Sequence, residues 1–85
     1  MKDNEKRVLA KIIYGAYTDC ILNKEMAEDK GMISGSIATF EMLESISKRQ
    51  GEALESYFNI NLGKSSITDV VKIETAINQI LNENI

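Results

Sequence analysis

Three E-x-x-E pairs are the residues of this chain best placed for chemistry: Glu25/Glu28, Glu41/Glu44 and Glu52/Glu55. On a helix, positions three apart share a face, so each pair presents two carboxylates together. Hard oxygen ligands suit Mg²⁺, and a metal-bound water is a nucleophile for phosphate chemistry. Other chemistry is poorly supplied. The sequence has no His, so neither a Ser nor Cys20 has the usual activating base. Cys20 is the single cysteine and excludes an intrachain disulfide. Its place on an apolar helix face reads as a small inert hydrophobe. The stretch GMISGS (31–36) lacks G-x-G-x-x-G spacing. LGKSS (62–66) matches only the tail of a G-x-x-x-x-G-K-[ST] phosphate loop, with Phe58 where the first Gly belongs. Both stretches read as a turn followed by a helix cap.

Twelve residues separate Glu28 from Glu41. In a helical hairpin turning near Gly31, the pairs Glu25/Glu28 and Glu41/Glu44 stand at similar heights. This arrangement resembles the E-x-x-E then E-x-x-D signature of the all-α NTP pyrophosphatases, which are small helical dimers. The likeness covers residues 25–44, and Glu44 stands where that family has Asp. It implies Glu25, Glu28, Glu41 and Glu44 as ligands for Mg²⁺ and a nucleotide phosphate. The family holds its carboxylates in a cleft, whereas helical wheels of this sequence put them on solvated faces. The metal reading is therefore the alternative, and no cofactor is expected.

Composition narrows the remaining classes. The chain has 85 residues with a net charge of −3, 44% hydrophobic and 27% charged residues, and no Pro or Trp. That is the balance of a soluble globular domain, read as one domain over 1–85. No segment carries the basic excess of a phosphate-backbone or membrane-surface footprint. The start, MKDNEKRVLAKIIYG, is too charged for a secretory signal, and no apolar run reaches the roughly 18 residues of a membrane span. A cytoplasmic protein is expected, with no direct nucleic-acid or membrane binding. A domain of this size buries only about 60% of its unfolded surface and gains from association.

The apolar spacing asks for three helices. The first is expected from about Asn4 to Lys30, with Leu9, Ile12, Ile13, Ala16, Tyr17, Cys20 and Ala27 on one face. Arg7, Lys11, Thr18, Glu25 and Asp29 fall on the solvated face. Gly15 stands in mid-helix, where close backbone packing would offset its poor propensity. Gly31 suits a left-handed C′ position, and Ser34 or Ser36 caps the next helix. That second helix is expected to run unbroken from about Ser34 to Asn59, with a bend at Gly51 left open. Ile33, Ile37, Phe40, Leu43, Ile46, Leu54, Tyr57 and Phe58 form its apolar face, and Glu41, Glu44, Lys48, Glu52 and Glu55 its polar wedge. A capping box at Ser66 and Asp69 opens the third helix, which runs to about Asn82. Ile67, Val70, Val71, Ile73, Ile77, Ile80 and Leu81 form its seam.

These elements predict an all-α fold: a long antiparallel helical hairpin (4–30 and 34–59) covered by a C-terminal helix, in a small dimeric bundle. The first helix starts basic (Lys6, Arg7, Lys11) and ends acidic (Glu25, Glu28, Asp29), against its macrodipole. An antiparallel partner would resolve that, and two-fold symmetry supplies one. The expected function is that of a small interaction or regulatory protein, acting through helix packing on itself or on a helical partner, and not an enzyme. Gly35, Ala38, Met42 and Phe58 are the expected contact surface. A further alternative is an acidic inhibitor mimicking nucleic acid through the row Glu41, Glu44, Glu52 and Glu55.

Overall fold

A computed structural model describes residues 1–23, 26–64 and 69–85. The described residues are all-α, with four helices and no strand: α1 (Asp3–Asn23), α2 (Met26–Met42), α3 (Lys48–Ile60) and α4 (Val70–Glu83). They pack as a ring in which α1 touches α2 and α4, and α3 touches the same two. The molecule measures 33 × 22 × 20 Å. The longest helix, α1, has 21 residues and spans about 30 Å.

The expected long hairpin is replaced by this ring, because each long helix breaks once. The first break precedes Met26, so the predicted turn at Gly31 does not form and Gly31 lies inside α2. The macrodipole argument accounts for this. Glu28 and Asp29 oppose the dipole at the end of one long helix, but favour it in the first turn of α2. Glu28 and Asp29 of that charge pattern thus need no antiparallel partner. The new start also resets the phase: Asp29 joins Ile33, Ile37 and Phe40 on the inner face and is fully buried, not solvated. Ser34 and Ser36 are not caps. Ser36 Oγ donates to the Met32 carbonyl one turn back, at 2.8 Å.

The second break falls at residues 43–47, not at Gly51, which lies within α3. The Ser45 N–H donates to the Phe40 carbonyl and the Glu44 N–H to the Glu41 carbonyl, both at 3.0 Å. That pair of bonds is a Schellman motif. Its C′ residue is Glu44, at φ 59°, where glycine is usual. Ser47 then caps α3 by accepting from the Gln50 N–H, while the Gln50 side chain accepts from the Ser47 N–H, a complete capping box. Its S-x-x-Q signature is visible at 47–50 and is the signal that would have found the break. Gly51 is buried because the Glu41 side chain lies over its Cα, where a Cβ would collide with it.

Asp69 caps α4, accepting from the Lys72 N–H at 2.8 Å. Glu25, Ser66 and Ile67 lie outside the described residues. Val71 faces solvent, while Ile73, Ile77, Ile80 and Leu81 are buried as the seam predicts. They meet Leu9, Ala10, Ile13, Ala16, Tyr17 and Cys20 of α1, with Ile33, Ile37, Phe40, Leu54, Phe58 and Leu62 completing one core. Phe58 is fully buried in it, so it is withdrawn from the contact surface. Gly15 is exposed and a Cβ there would meet nothing within 4 Å. The expected close packing at Gly15 does not occur among the described residues.

Candidate functional site: the outer face of α2

The core face of α2 is set by Ile33, Ile37 and Phe40, and Gly31, Gly35, Ala38 and Met42 therefore point the other way. All four are exposed, as is Thr39, and Met42 retains 83% of its accessible surface. Three of the four predicted contact residues thus share one face. The structure adds Gly31, which lies within α2 and not at the expected turn. A Cβ built at Gly31 or Gly35 meets nothing within 4 Å. No contact among the described residues requires either glycine, although each costs a helix interior about 1 kcal/mol relative to Ala.

Polarity on this face is unusual for an exposed helix. From Gly31 to Phe40 the sequence contains no charged residue. Two of the three hydroxyls in that stretch close on the helix itself: Ser36 on the Met32 carbonyl, and Thr39 Oγ1 on the Gly35 carbonyl at 3.0 Å. Neither hydroxyl then depends on water as its acceptor.

The neighbouring helices hold α2 in place through specific polar bonds. Asn59 Nδ2 donates to Ser34 Oγ at 3.1 Å, tying α3 to α2. The buried Tyr17 hydroxyl donates to the Phe58 carbonyl at 2.6 Å. That carbonyl lies in the last turn of α3, where helix donors run out; the Leu62 N–H, its expected partner, bonds Asn59 instead. Burial drives the Tyr17 phenol well above the usual tyrosine range, the Tyr57 phenol adding to it. Gln50 Nε2 donates to the Leu81 carbonyl at 3.1 Å and so joins the start of α3 to the end of α4. At the α2–α3 turn, Glu5 accepts from the Lys2 N–H at 2.8 Å and from Ser45 Oγ at 2.7 Å. Those two donors, the Lys2 amide first, hold its carboxyl below the usual range.

The carboxylates of the metal reading are spread out. Glu28 stands in the first turn of α2 and Glu41 in its last, about 20 Å apart along the axis. The hairpin that would bring them level is absent, and Glu44 lies beyond the helix end. Among the described residues, no three His, Cys, Asp or Glu side chains converge as metal ligands would. The acidic row Glu41, Glu44, Glu52 and Glu55 folds back on itself at the 43–47 turn. Glu52 and Glu55, with Ser56, Asn59 and Ile60, line a shallow groove of about 330 Å³ on α3. Cys20 is buried as expected, at the base of an apolar cleft with Ile21, Met26 and Gly63. Gly63 has φ 79°, and a Cβ there would stand 3.6 Å from Cys20 Sγ.

None of the described helices is long and apolar enough to cross a membrane. Comparison with protein-family models, with curated proteins and with solved structures returns no match.

Proposed function

We propose that this protein is a small cytoplasmic interaction or regulatory protein that works by helix packing and performs no chemistry of its own. Its contact surface is the outer face of α2, centred on Gly35 and Ala38 and flanked by Gly31 and Met42. Its partner is a second copy of the chain, or failing that a helical protein. The observation that carries this reading is the open space above Gly31 and Gly35. Two helix-interior glycines that no neighbour among the described residues needs make sense if another backbone approaches there. Small residues at four-residue spacing permit such an approach, and the uncharged stretch above them is cheap to dehydrate.

Light scattering across a concentration series tests this. The expected result is a reversible dimer that dissociates on dilution. Ala38→Glu places a charge at the centre of an exposed face, so the monomer should keep its helicity while association is lost. A variant that associates like the parent refutes the assignment of the surface. A wild-type chain that stays monomeric at every concentration removes self-association and leaves only a heterologous partner.

A further inference from the structure

We propose that the 43–47 turn is a hinge, and that two copies of the chain exchange their α3–α4 halves when it straightens. Three observations carry this, none of them involving the outer face of α2. First, the break contains no Gly or Pro: the residues are Leu43, Glu44, Ser45, Ile46 and Ser47. It is closed by a left-handed Glu44, a conformation that L side chains avoid. Second, the helix phase ignores the break. Drawn as one helix from 26 to 60, five of the six apolar core residues of that segment, Ile33, Ile37, Phe40, Leu54 and Phe58, fall within a sector of about 100°, and only Ile46, in the turn itself, falls outside it. All five are core residues of the folded chain. Third, Leu43 is 65% exposed in the closed turn, yet in the continuous helix it falls on that apolar stripe beside Leu54.

The register of α2 on α3 gives the exchanged form its geometry. Ser34 bonds Asn59 and Glu41 lies on Gly51, so the helices are antiparallel about a centre near residue 46. If residues 26–60 form one helix, about 50 Å long, a second copy can pair with it antiparallel in this same register. The two-fold axis then passes beside residue 46. Every contact of α1 or α2 with α3 or α4 is rebuilt between chains, including the Tyr17–Phe58 bond and the Arg7–Glu74 ion pair. The Gln50–Leu81 bond stays within one chain. The exchanged dimer regains a helical Glu44 and loses the Schellman turn and the Ser47 cap. Short hinges under strain favour such exchange.

The experiment is refolding from urea at micromolar and at millimolar chain concentration, followed by light scattering and dilution. The exchanged dimer should form only at the high concentration. It should persist for hours after dilution, because release requires both halves to unfold. Glu44→Gly, which relaxes the turn and weakens the long helix, should lower the dimer yield at least fivefold. Ser47→Ala, which removes the α3 cap, should raise it. In a Ser34→Cys/Asn59→Cys variant made on Cys20→Ser, a short bismaleimide should link the two sites between chains in the dimer and within one chain in the monomer. Absence of any dimer from both the parent and Ser47→Ala overturns the proposal, as does an intrachain link in the isolated dimer. A dimer that dissociates on dilution and is abolished by Ala38→Glu also overturns it, while supporting association through the outer face of α2. A persistent dimer unaffected by Ala38→Glu supports exchange even where that surface reading fails.

Discussion

Glu44→Gly separates the observed turn from a continuous helix by the sign of its effect. Glu44 occupies the C′ position at φ 59°, and its exposed side chain makes no hydrogen bond or ion pair among the described residues. An L residue in the left-handed region costs about 1–2 kcal/mol relative to glycine there. Glycine returns part of that through its greater freedom in the unfolded chain, about 0.5–1 kcal/mol. The net expectation is a stabilisation of about 1 kcal/mol. In urea, with a slope of about 1–2 kcal/mol per molar, that raises the midpoint by about 0.5–1 M. Were residues 34–59 one helix, the same substitution would put glycine in a helix interior and lower stability by about 0.5–1 kcal/mol. Glu44→Ala is the control: it relieves no left-handed strain, so it should leave the turn nearly unchanged, whereas in a continuous helix it would be neutral or mildly stabilising. Unfolding would be followed by circular dichroism at a concentration where light scattering finds only monomer. An unchanged slope with a lower or equal midpoint for Glu44→Gly refutes the turn.

Two further substitutions test how the ring of helices is held. Tyr17→Phe keeps the ring and removes the donor to the Phe58 carbonyl, leaving a buried acceptor without its partner at a cost of about 1–2 kcal/mol; an unchanged urea midpoint would mean that water reaches that carbonyl. Since burial raises the Tyr17 phenol above its unfolded value, its contribution is present below the ordinary tyrosine value near 10 and lost as pH rises beyond it, so above that pH the urea midpoint should fall more steeply with pH in the parent than in Tyr17→Phe. Gln50→Glu keeps the acceptor for the Ser47 N–H but sets a carboxylate against the Leu81 carbonyl. It should cost about 1 kcal/mol, detectable as a lower thermal midpoint, while Gln50→Ala loses both bonds and costs more.

The sequence by itself determined the all-α class, the buried seam Ile73, Ile77, Ile80 and Leu81, and the inward face of α1 through Leu9, Ile13, Ala16, Tyr17 and Cys20. Those follow from periodicity, which records how each segment meets water. It also placed Gly35, Ala38 and Met42 on one face, because that depends only on α2 being a helix. Periodicity is silent on where a helix stops when no Gly or Pro marks the place. The 43–47 turn keeps the apolar phase on both sides, so Leu43 and Glu44 read as helix while the chain reverses at them. Only the tertiary structure decides that reversal. Folding α3 back onto α2 buries Leu54 in the core and Phe58 against Tyr17 and brings Gln50 to the end of α4, and these gains outweigh the left-handed Glu44. The same reversal took Phe58 from the predicted surface into the core. The fate of Asp29 was likewise a tertiary matter: its type says solvent, but its register with Ile33 and Ile37 places it inside. Gly31 illustrates the converse. Its freedom to turn is a local property, whereas its use as bare helix surface on α2 depends on a break that precedes it in the chain.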